Sequence, residues 1–209
     1  MKPAAAARAL KHLIDIKQPT FLWGPPGVGK SSIARAVAEA YGQFIDLRLV
    51  QLDIIDLRGV LMIENKKSVW APPAMLPTKG KGVILLDEFV QALPLMQNTA
   101  SQLILDRRIG DYVLPEGWVV LAAGNRETDR AATNKMPSHI ANRFTHINID
   151  VDYNDWQAWA IANKINPMVI AFLAFRPPLL HQFNAGEKAF PSPRSWEFVS
   201  NIMKQGVPD

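Results

Sequence analysis

The residues with the clearest chemical meaning form a glycine-rich segment at positions 24–31. This segment reads GPPGVGKS and has the spacing G-x-x-x-x-G-K-[ST] of a phosphate-binding loop. Its glycines let backbone N–H groups curl around phosphates, Lys30 can reach the terminal phosphates and Ser31 can ligate Mg²⁺. The pattern predicts a nucleotide site whose contacts come from Pro26, Gly27, Val28, Gly29, Lys30, Ser31 and Ser32.

Two adjacent acids, Asp87 and Glu88, end an apolar run at residues 83–86. Ligands of α/β sheets bind at the carboxyl ends of strands, so Asp87 can hold Mg²⁺ while Glu88 orients or deprotonates an attacking water. By themselves, two acids at a strand end are more typical of a solvated turn. Because a phosphate-binding loop precedes them, we favour the catalytic interpretation.

A polar amide follows the next apolar run, since residues 121–125 read LAAGN. Asn125 can hydrogen-bond the attacking water or the γ-phosphate, although an asparagine at such a place is also typical of a turn. Its alignment with the other strand-end residues favours a functional role.

The elements that must position these residues can be read from hydrophobic patterning. Short apolar runs of strand length occur at residues 20–23, 44–50, 83–86, 118–123 and 145–151. Helical patterns between them cover residues 32–41, 94–105 and 138–142, the first of them with Gly42 as a C-terminal cap. Strands alternating with helices predict an α/β fold with a doubly wound parallel sheet.

The pattern changes near residue 152, after which only helices are predicted, at residues 154–165, 167–175 and 193–205. Asn154 is expected to cap the first of them. We therefore expect a nucleotide-binding core at residues 1–152 and a small helical subdomain at residues 153–209.

The order of these motifs resembles that of the AAA+ ATPases and, within them, the MoxR-like, dynein-related branch found in bacteria and bacteriophages. The motifs GPPGVGKS, LLDEF, AAGN, ANRF and SPRSW carry the resemblance, which covers about residues 10 to 205. It implies a P-loop NTPase core with a five-stranded parallel sheet, a helical lid, and a homo-oligomeric ring, usually a hexamer, with the nucleotide between neighbours. It assigns Walker A, Walker B and sensor 1 roles to Lys30, Ser31, Asp87, Glu88 and Asn125.

Two arginines complete the predicted site. The resemblance makes Arg143 in ANRF an arginine finger that neutralises charge on the γ-phosphoryl group in a neighbour's site. Arg126 and Arg130 are alternatives for the arginine finger. Arg143 can also be interpreted as a surface cation that the C-terminal end of a helix favours. Arg194 follows a predicted N-cap at Ser192, so this cation lies at the positive end of a helix dipole and favours an external anion. The resemblance makes it sensor 2, which touches the γ-phosphate of its own subunit.

A predicted hairpin at residues 57–70 is interrupted by the polar residues 64–67. Similar insertions in MoxR-like proteins face partners or the ring's pore, and a plain surface hairpin is the alternative. Lys66 and Lys67 are expected to form its solvated tip.

Composition excludes several classes of protein. The chain of 209 residues has no cysteine and a net charge of +4, which excludes disulfides and thiolate sites and gives little reason to expect nucleic-acid binding. No apolar run reaches the ~18 residues of a membrane span, and the N-terminal residues do not fit a signal peptide. We expect a cytoplasmic protein, of a bacterium or of the bacterial host of a phage. The four histidines have no paired ligand spacing, and a guanine-reading motif is absent.

The sequence therefore predicts an enzyme that hydrolyses ATP with Mg²⁺ and acts as a ring to remodel or activate a protein partner. The resemblance suggests a partner with a von Willebrand factor A domain. Two alternatives stay open: a nucleic-acid-associated motor or loader, and a nucleotide-gated assembly module with slow hydrolysis. Because lids of this family usually continue further, we expect this one to be minimal or truncated.

Overall fold

A five-stranded parallel sheet forms the centre of the protein. The computed structural model describes residues 1–129, 134–184, 187 and 189–206. In chain order its strands are β1 (Thr20–Trp23), β2 (Gln43–Arg48), β3 (Val60–Glu64), β4 (Lys67–Ala71), β5 (Lys81–Asp87), β6 (Arg108–Ile109), β7 (Tyr112–Val113), β8 (Gly117–Gly124) and β9 (Thr145–Asn148). The central sheet has the order β2-β5-β8-β1-β9 with all neighbours parallel. The predicted fold class is confirmed.

Helices cover both faces of this sheet and continue beyond it. They are α1 (Pro3–Asp15), α2 (Lys30–Ala38), α3 (Ile54–Arg58), α4 (Pro94–Leu105), α5 (Ser138–Ala141), α6 (Tyr153–Ala162), α7 (Pro167–Phe175) and α8 (Pro193–Gln205). One hydrophobic cluster packs α4 against one face of the sheet, and a second packs α1 and α2 against the other. We call residues 153–209, which contain α6 to α8, the C-terminal segment.

Strand β5 shows how the sheet reaches the site. Ile84 and Leu86 pack in the cluster with α4, whereas Val83 and Leu85 pack in the cluster with α1 and α2. Successive side chains of a strand point to opposite faces, so a strand covered on both faces needs a continuous apolar run. All four side chains are fully buried, and the run ends at Asp87 on the carboxyl edge of the sheet.

The helix after the glycine-rich loop ends earlier than the sequence suggested. Gly42 was expected to cap it, but α2 ends at Ala38 and its C-cap is Glu39. Gly42 has a φ of +122°, and a Cβ there would meet the carbonyl oxygen of Lys81 at 2.5 Å. This glycine is therefore required by close approach to β5, and its prediction as a cap was wrong.

The helix after β9 also starts differently from the prediction. Asn154 was expected to be its N-cap, but the carboxylate of Asp152 accepts a hydrogen bond from the N–H of Asp155 at 3.0 Å and caps α6. The helix ends at Ala162, because Lys164 adopts a φ of +55° that no α-helix continues. The C-terminal segment has its own hydrophobic cluster, which joins α6, α7 and the turn at residues 177–180.

The predicted hairpin is present as β3 and β4. Its turn consists of Asn65 and Lys66, whose φ angles are 50° and 61°, whereas Lys67 already belongs to β4 and pairs with Glu64. Every residue of β3 is exposed. The hairpin therefore projects from the core with Lys66, but not Lys67, at its tip.

Some elements carried no clear signal in the sequence. The predictions omitted α1, α3 and the short hairpin of β6 and β7, and they extended β2 and β9 too far. Helix α1 matters most, since it covers one face of the sheet. In the part of the chain that the structure describes, no helix combines the length and apolar character needed to cross a membrane.

The sheet core predicts a large difference between two identical substitutions. Leu85 in β5 is fully buried, whereas Leu95 in α4 is 62% exposed. We expect Leu85→Ala to lower the free energy of unfolding by about 2–5 kcal/mol through lost contacts and a cavity. Leu95→Ala, the matched control, should change it by less than about 0.5 kcal/mol. Equal losses in chemical denaturation would contradict this account of the core.

Candidate functional site

The glycine-rich loop joins β1 to α2 at the carboxyl edge of the sheet. Gly27 and Gly29 have φ angles of +77° and +94°, a region that glycine adopts without strain. Val28 between them is buried in the cluster with α1 and α2 and anchors the loop. Gly29 is the N-cap of α2, so the loop ends at a helix N-terminus, where backbone N–H groups and the helix dipole favour an anion.

Lys30 is a buried cation held by three oxygen atoms. Its Nζ donates hydrogen bonds to the carbonyl oxygens of Gly24 at 2.8 Å and Pro25 at 3.2 Å, and to Oδ1 of Asn125 at 2.8 Å. Burial lowers the pKa of Lys30 to about 8, against the opposing effect of the negative charge on Asp87. An anion bound nearby would therefore stabilise the charged form of this amine.

Ser31 and Asp87 form a pair of oxygen ligands beside this lysine. The Ser31 hydroxyl donates to Oδ2 of Asp87 at 2.5 Å, and Oδ1 of the same carboxylate accepts the N–H of Glu88 at 2.8 Å. Asp87 is only 8% exposed. Hard oxygen donors in small number suit Mg²⁺, which completes its shell with phosphate and water oxygens. The donor set therefore fits the predicted ion.

Glu88 has an unusual backbone conformation. Its φ of +56° lies in the left-handed region, which costs a non-glycine residue energy and is enriched at functional sites. The residue precedes a short 3-10 turn over Phe89–Gln91. Both Glu88 and Gln91 line the same cavity as Lys30 and Ser31. Gln91 was not predicted, since nothing in the pattern sets it apart from other residues of a turn.

Residues from four distant parts of the chain meet in one polar cavity. Its lining combines loop residues with strand-end residues and one residue from the start of α8: Pro26, Gly27, Gly29, Lys30, Ser31, Asp87, Glu88, Gln91, Gly124, Asn125 and Arg194. Because β5 and β8 are neighbours and β8 pairs with β1, their carboxyl ends are brought side by side. The positive charge of Arg194 further lowers the pKa of Lys30.

An adjoining apolar cavity lies between the loop, the start of α1 and the C-terminal segment. Among its lining residues are Pro3, Gly27, Val28, Ser32, Ile33, Trp156, Trp159 and Arg194. Trp159 is 37% exposed, whereas Trp156 beside it is 6% exposed. Apolar and aromatic walls with a few polar groups suit a flat organic group. No local pattern in the sequence indicated that these two tryptophans border the loop.

Every predicted binding residue lines one or both of these cavities, and Arg143 lines neither. Arg143 is exposed in the turn between α5 and β9, and within the described residues no acidic group lies within ion-pair distance of it. Arg126, one alternative, is already bound by Asp129 at 3.2 Å and Asp150 at 2.9 Å. Arg130, the other, lies outside the described residues.

A histidine supports the turn that carries Arg143. The Nε2 of His146 donates to the carbonyl oxygen of Ala141 at 2.8 Å, and its Nδ1 accepts a hydrogen bond from the indole N–H of Trp23 at 2.7 Å. Since a carbonyl only accepts, the proton of the neutral ring lies on Nε2. The contact ties the end of α5 to β1, and no local pattern in the sequence revealed it.

The sequence is similar to those of known ATPase-family proteins. A profile of the "ATPase family associated with various cellular activities (AAA)" matches residues 20–149. Midasin of Giardia intestinalis is 28% identical over 191 residues, which cover 87% of this chain and 4% of midasin. Chaperone protein ClpB 1 of Nostoc sp. is 30% identical over 197 residues, covering 86% of this chain and 20% of ClpB 1. The chain thus spans a small part of these relatives.

The fold is also similar to that of a solved structure. NtrX from Brucella abortus, in complex with ATP, has a TM-score of 0.59 and 14% identity, and the match covers 98% of this chain and half (50%) of that chain. At this level of identity the likeness concerns the fold alone.

The buried amine of Lys30 predicts a specific pH dependence of stability. Its pKa is lowered from 10.5 to about 8 in the folded state, so between these pH values the unfolded chain binds more protons and stability rises with pH. Without ligand, we expect the free energy of unfolding of the wild type to increase relative to Lys30→Met by about 3 kcal/mol across this range.

Denaturant titrations at several pH values measure this difference. Lys11→Met, on the exposed surface of α1, is the matched control and should follow the wild type. A constant difference between wild type and Lys30→Met from pH 8 to 10.5 would show that the amine is not destabilised by burial.

Proposed function

The chain belongs to the ATPase family associated with various cellular activities (AAA), and on this basis we propose that it binds ATP and hydrolyses it with Mg²⁺. The observation that carries the proposal is the polar cavity, where Lys30, Ser31, Asp87, Glu88 and Asn125 converge. Phosphoryl transfer depends mainly on positioning and on stabilising charge. This cavity offers groups for both.

We propose a role for each of these five residues of the cavity. Lys30 and the N-terminus of α2 bind the phosphates, and the added anion compensates the buried ammonium. Ser31 and Asp87 would hold Mg²⁺, which supplies positive charge to the phosphate oxygens when bound. Glu88 orients the attacking water and accepts its proton, while Asn125 fixes the position of the water or the γ-phosphate. The apolar cavity receives the adenine base.

The C-terminal segment contributes Arg194 to this site. We propose that residues 1–152 form the nucleotide-binding core and that residues 153–209 act as a lid, with Arg194 touching the γ-phosphate from the start of α8. The position of Arg194 in both cavities supports this, because movement of α8 would change its distance to the phosphates. Hydrolysis would then be coupled to lid movement.

Glu88 provides the most direct test of hydrolysis. We expect Glu88→Gln to lower kcat for ATP by roughly 10²- to 10⁴-fold, because the amide cannot accept the proton of the attacking water. Nucleotide binding should persist, since the loop and Lys30 are unchanged. Phosphate release measured with Mg²⁺ and ATP gives the rate, and calorimetry gives the affinity. Glu64→Gln, on the exposed strand β3, is the matched control; normal turnover by Glu88→Gln would refute the assignment of the base.

We propose further that sites are completed between subunits of a ring, usually a hexamer in this family, with Arg143 as the residue that acts in the neighbour's site. Three features support this: Arg143 is exposed, it lies outside both cavities of its own chain, and His146 fixes the turn that carries it. Arg126 is less suited, because Asp129 and Asp150 already bind it.

Mixing two inactive variants tests action between subunits. We expect Arg143→Ala to lower kcat by about 10³-fold. Mixed with Glu88→Gln protein it should regain part of the activity, since an intact Glu88 then meets an intact Arg143 across an interface. Steady-state phosphate release at several mixing ratios measures the rescue. Arg8→Ala, an exposed arginine of α1, is the control for loss of charge. Failure to rescue at every ratio would argue against shared sites.

We propose that the energy of ATP hydrolysis is used to remodel or activate a protein partner, as in the MoxR-like branch. The fully exposed strand β3 of the hairpin supports a contact with a partner. The similarity to a protein named chaperone protein ClpB 1 agrees with a protein substrate. A partner with a von Willebrand factor A domain is the first candidate for a pull-down with Glu88→Gln. No observation on the described residues favours the nucleic-acid motor.

A further inference from the structure

One contact joins the proposed lid directly to the glycine-rich loop. Nε2 of His181, which follows the turn at residues 177–180, lies 2.9 Å from the carbonyl oxygen of Pro26. Because a carbonyl oxygen only accepts hydrogen bonds, Nε2 carries the proton and donates it. The two residues are 155 positions apart in the chain, so this bond exists only where the lid is docked on the loop.

The bond fixes the orientation of a backbone amide on the loop. In a trans peptide the carbonyl of one residue and the N–H of the next point in opposite directions. Since the Pro26 carbonyl points to His181, the N–H of Gly27 points away from it. Pro25 and Pro26 have no N–H, and the N–H of Val28 donates to the Pro25 carbonyl at 3.4 Å. Gly27 is thus the first amide after the prolines, and it lines both cavities.

A second lid residue packs closely against Gly27. A Cβ at Gly27 would lie 2.9 Å from both Cβ and Oγ of Ser192, which is buried as the N-cap of α8. Glycine at this position therefore meets two demands, a φ of +77° and close approach of the lid. The Pro26–Gly27 peptide has little freedom to rotate while the lid is docked.

The two lid residues are held together as one unit. The N–H of Gln182 donates to the carbonyl of Pro191 at 3.0 Å, which joins the segment of His181 to that of Ser192. The ring of Phe190 packs edge-on against His181, with centroids 5.9 Å apart, and against Phe183 at 4.8 Å. A displacement of α8 would therefore carry His181 with it.

We infer that His181 is a positioning residue, which aims the Gly27 amide at the phosphates of the nucleotide and makes phosphate affinity depend on lid position. The inference rests on the proposed nucleotide binding. When the lid leaves the loop, the Pro26 carbonyl loses its donor and the peptide can rotate, so the amide is no longer pre-oriented. This link is separate from the role of Arg194, because it acts through the loop and not on the γ-phosphate.

The test compares a ligand with phosphates and a ligand without them. ADP affinity is measured by calorimetry and adenosine affinity by competition, for the wild type, His181→Ala, His181→Gln and His12→Ala. His12 is an exposed histidine of α1 and serves as the matched control. Gln at position 181 can place an amide N–H at a reach similar to that of Nε2. Melting temperatures identify any variant that does not fold.

We expect His181→Ala to weaken ADP binding by about two- to tenfold, the effect of one hydrogen bond, and to leave adenosine binding unchanged. His181→Gln should recover part of the ADP affinity, and KM for ATP should rise more than kcat falls. Equal ADP affinities of His181→Ala, His181→Gln and His12→Ala would overturn the inference alone. Equal weakening of ADP and adenosine would also overturn it, because packing of the lid would then be the cause. A wild type that binds no ADP would refute the proposed function itself.

Discussion

The buried ammonium group of Lys30 is the interaction on which the rest of the site depends. A cation taken out of water is costly unless oxygen atoms surround it, and here two loop carbonyls and the amide of Asn125 provide them. These three bonds hold the loop to the end of β8. They leave the positive charge without a full anionic partner, which is reflected in its lowered pKa. A site built in this way favours the addition of an anion.

The sheet topology brings the residues of that arrangement together. Because β1 pairs with β8 and β8 with β5, the loop, Asn125 and the two acids leave the sheet at one edge and in adjacent positions. Parallel pairing places all carboxyl ends together, so polar residues that follow apolar runs converge without further adjustment. The apolar runs are continuous because helices cover both faces of the sheet.

The C-terminal segment contributes to the site in three ways. It supplies Arg194 to both cavities, the two tryptophans of the apolar wall, and the His181 contact with the loop. All three contacts depend on how this segment docks on the core. A site that is assembled from two packed parts can change its affinity when those parts move, which is the physical basis for coupling nucleotide state to shape.

The sequence by itself predicted most of the residues that line the polar cavity and the class of the fold. The loop residues are recognisable because their spacing lies within a few consecutive positions. Asp87, Glu88 and Asn125 are recognisable because each follows an apolar run that must be a buried strand. Where a residue's role came from a distant neighbour, local patterns failed. Gly42 faces β5 and does not cap a helix. The contacts of His146 with Trp23 and of His181 with Pro26 span 123 and 155 positions. Only the tertiary structure decided these, because such contacts depend on how packed elements meet and leave no periodic trace in the chain.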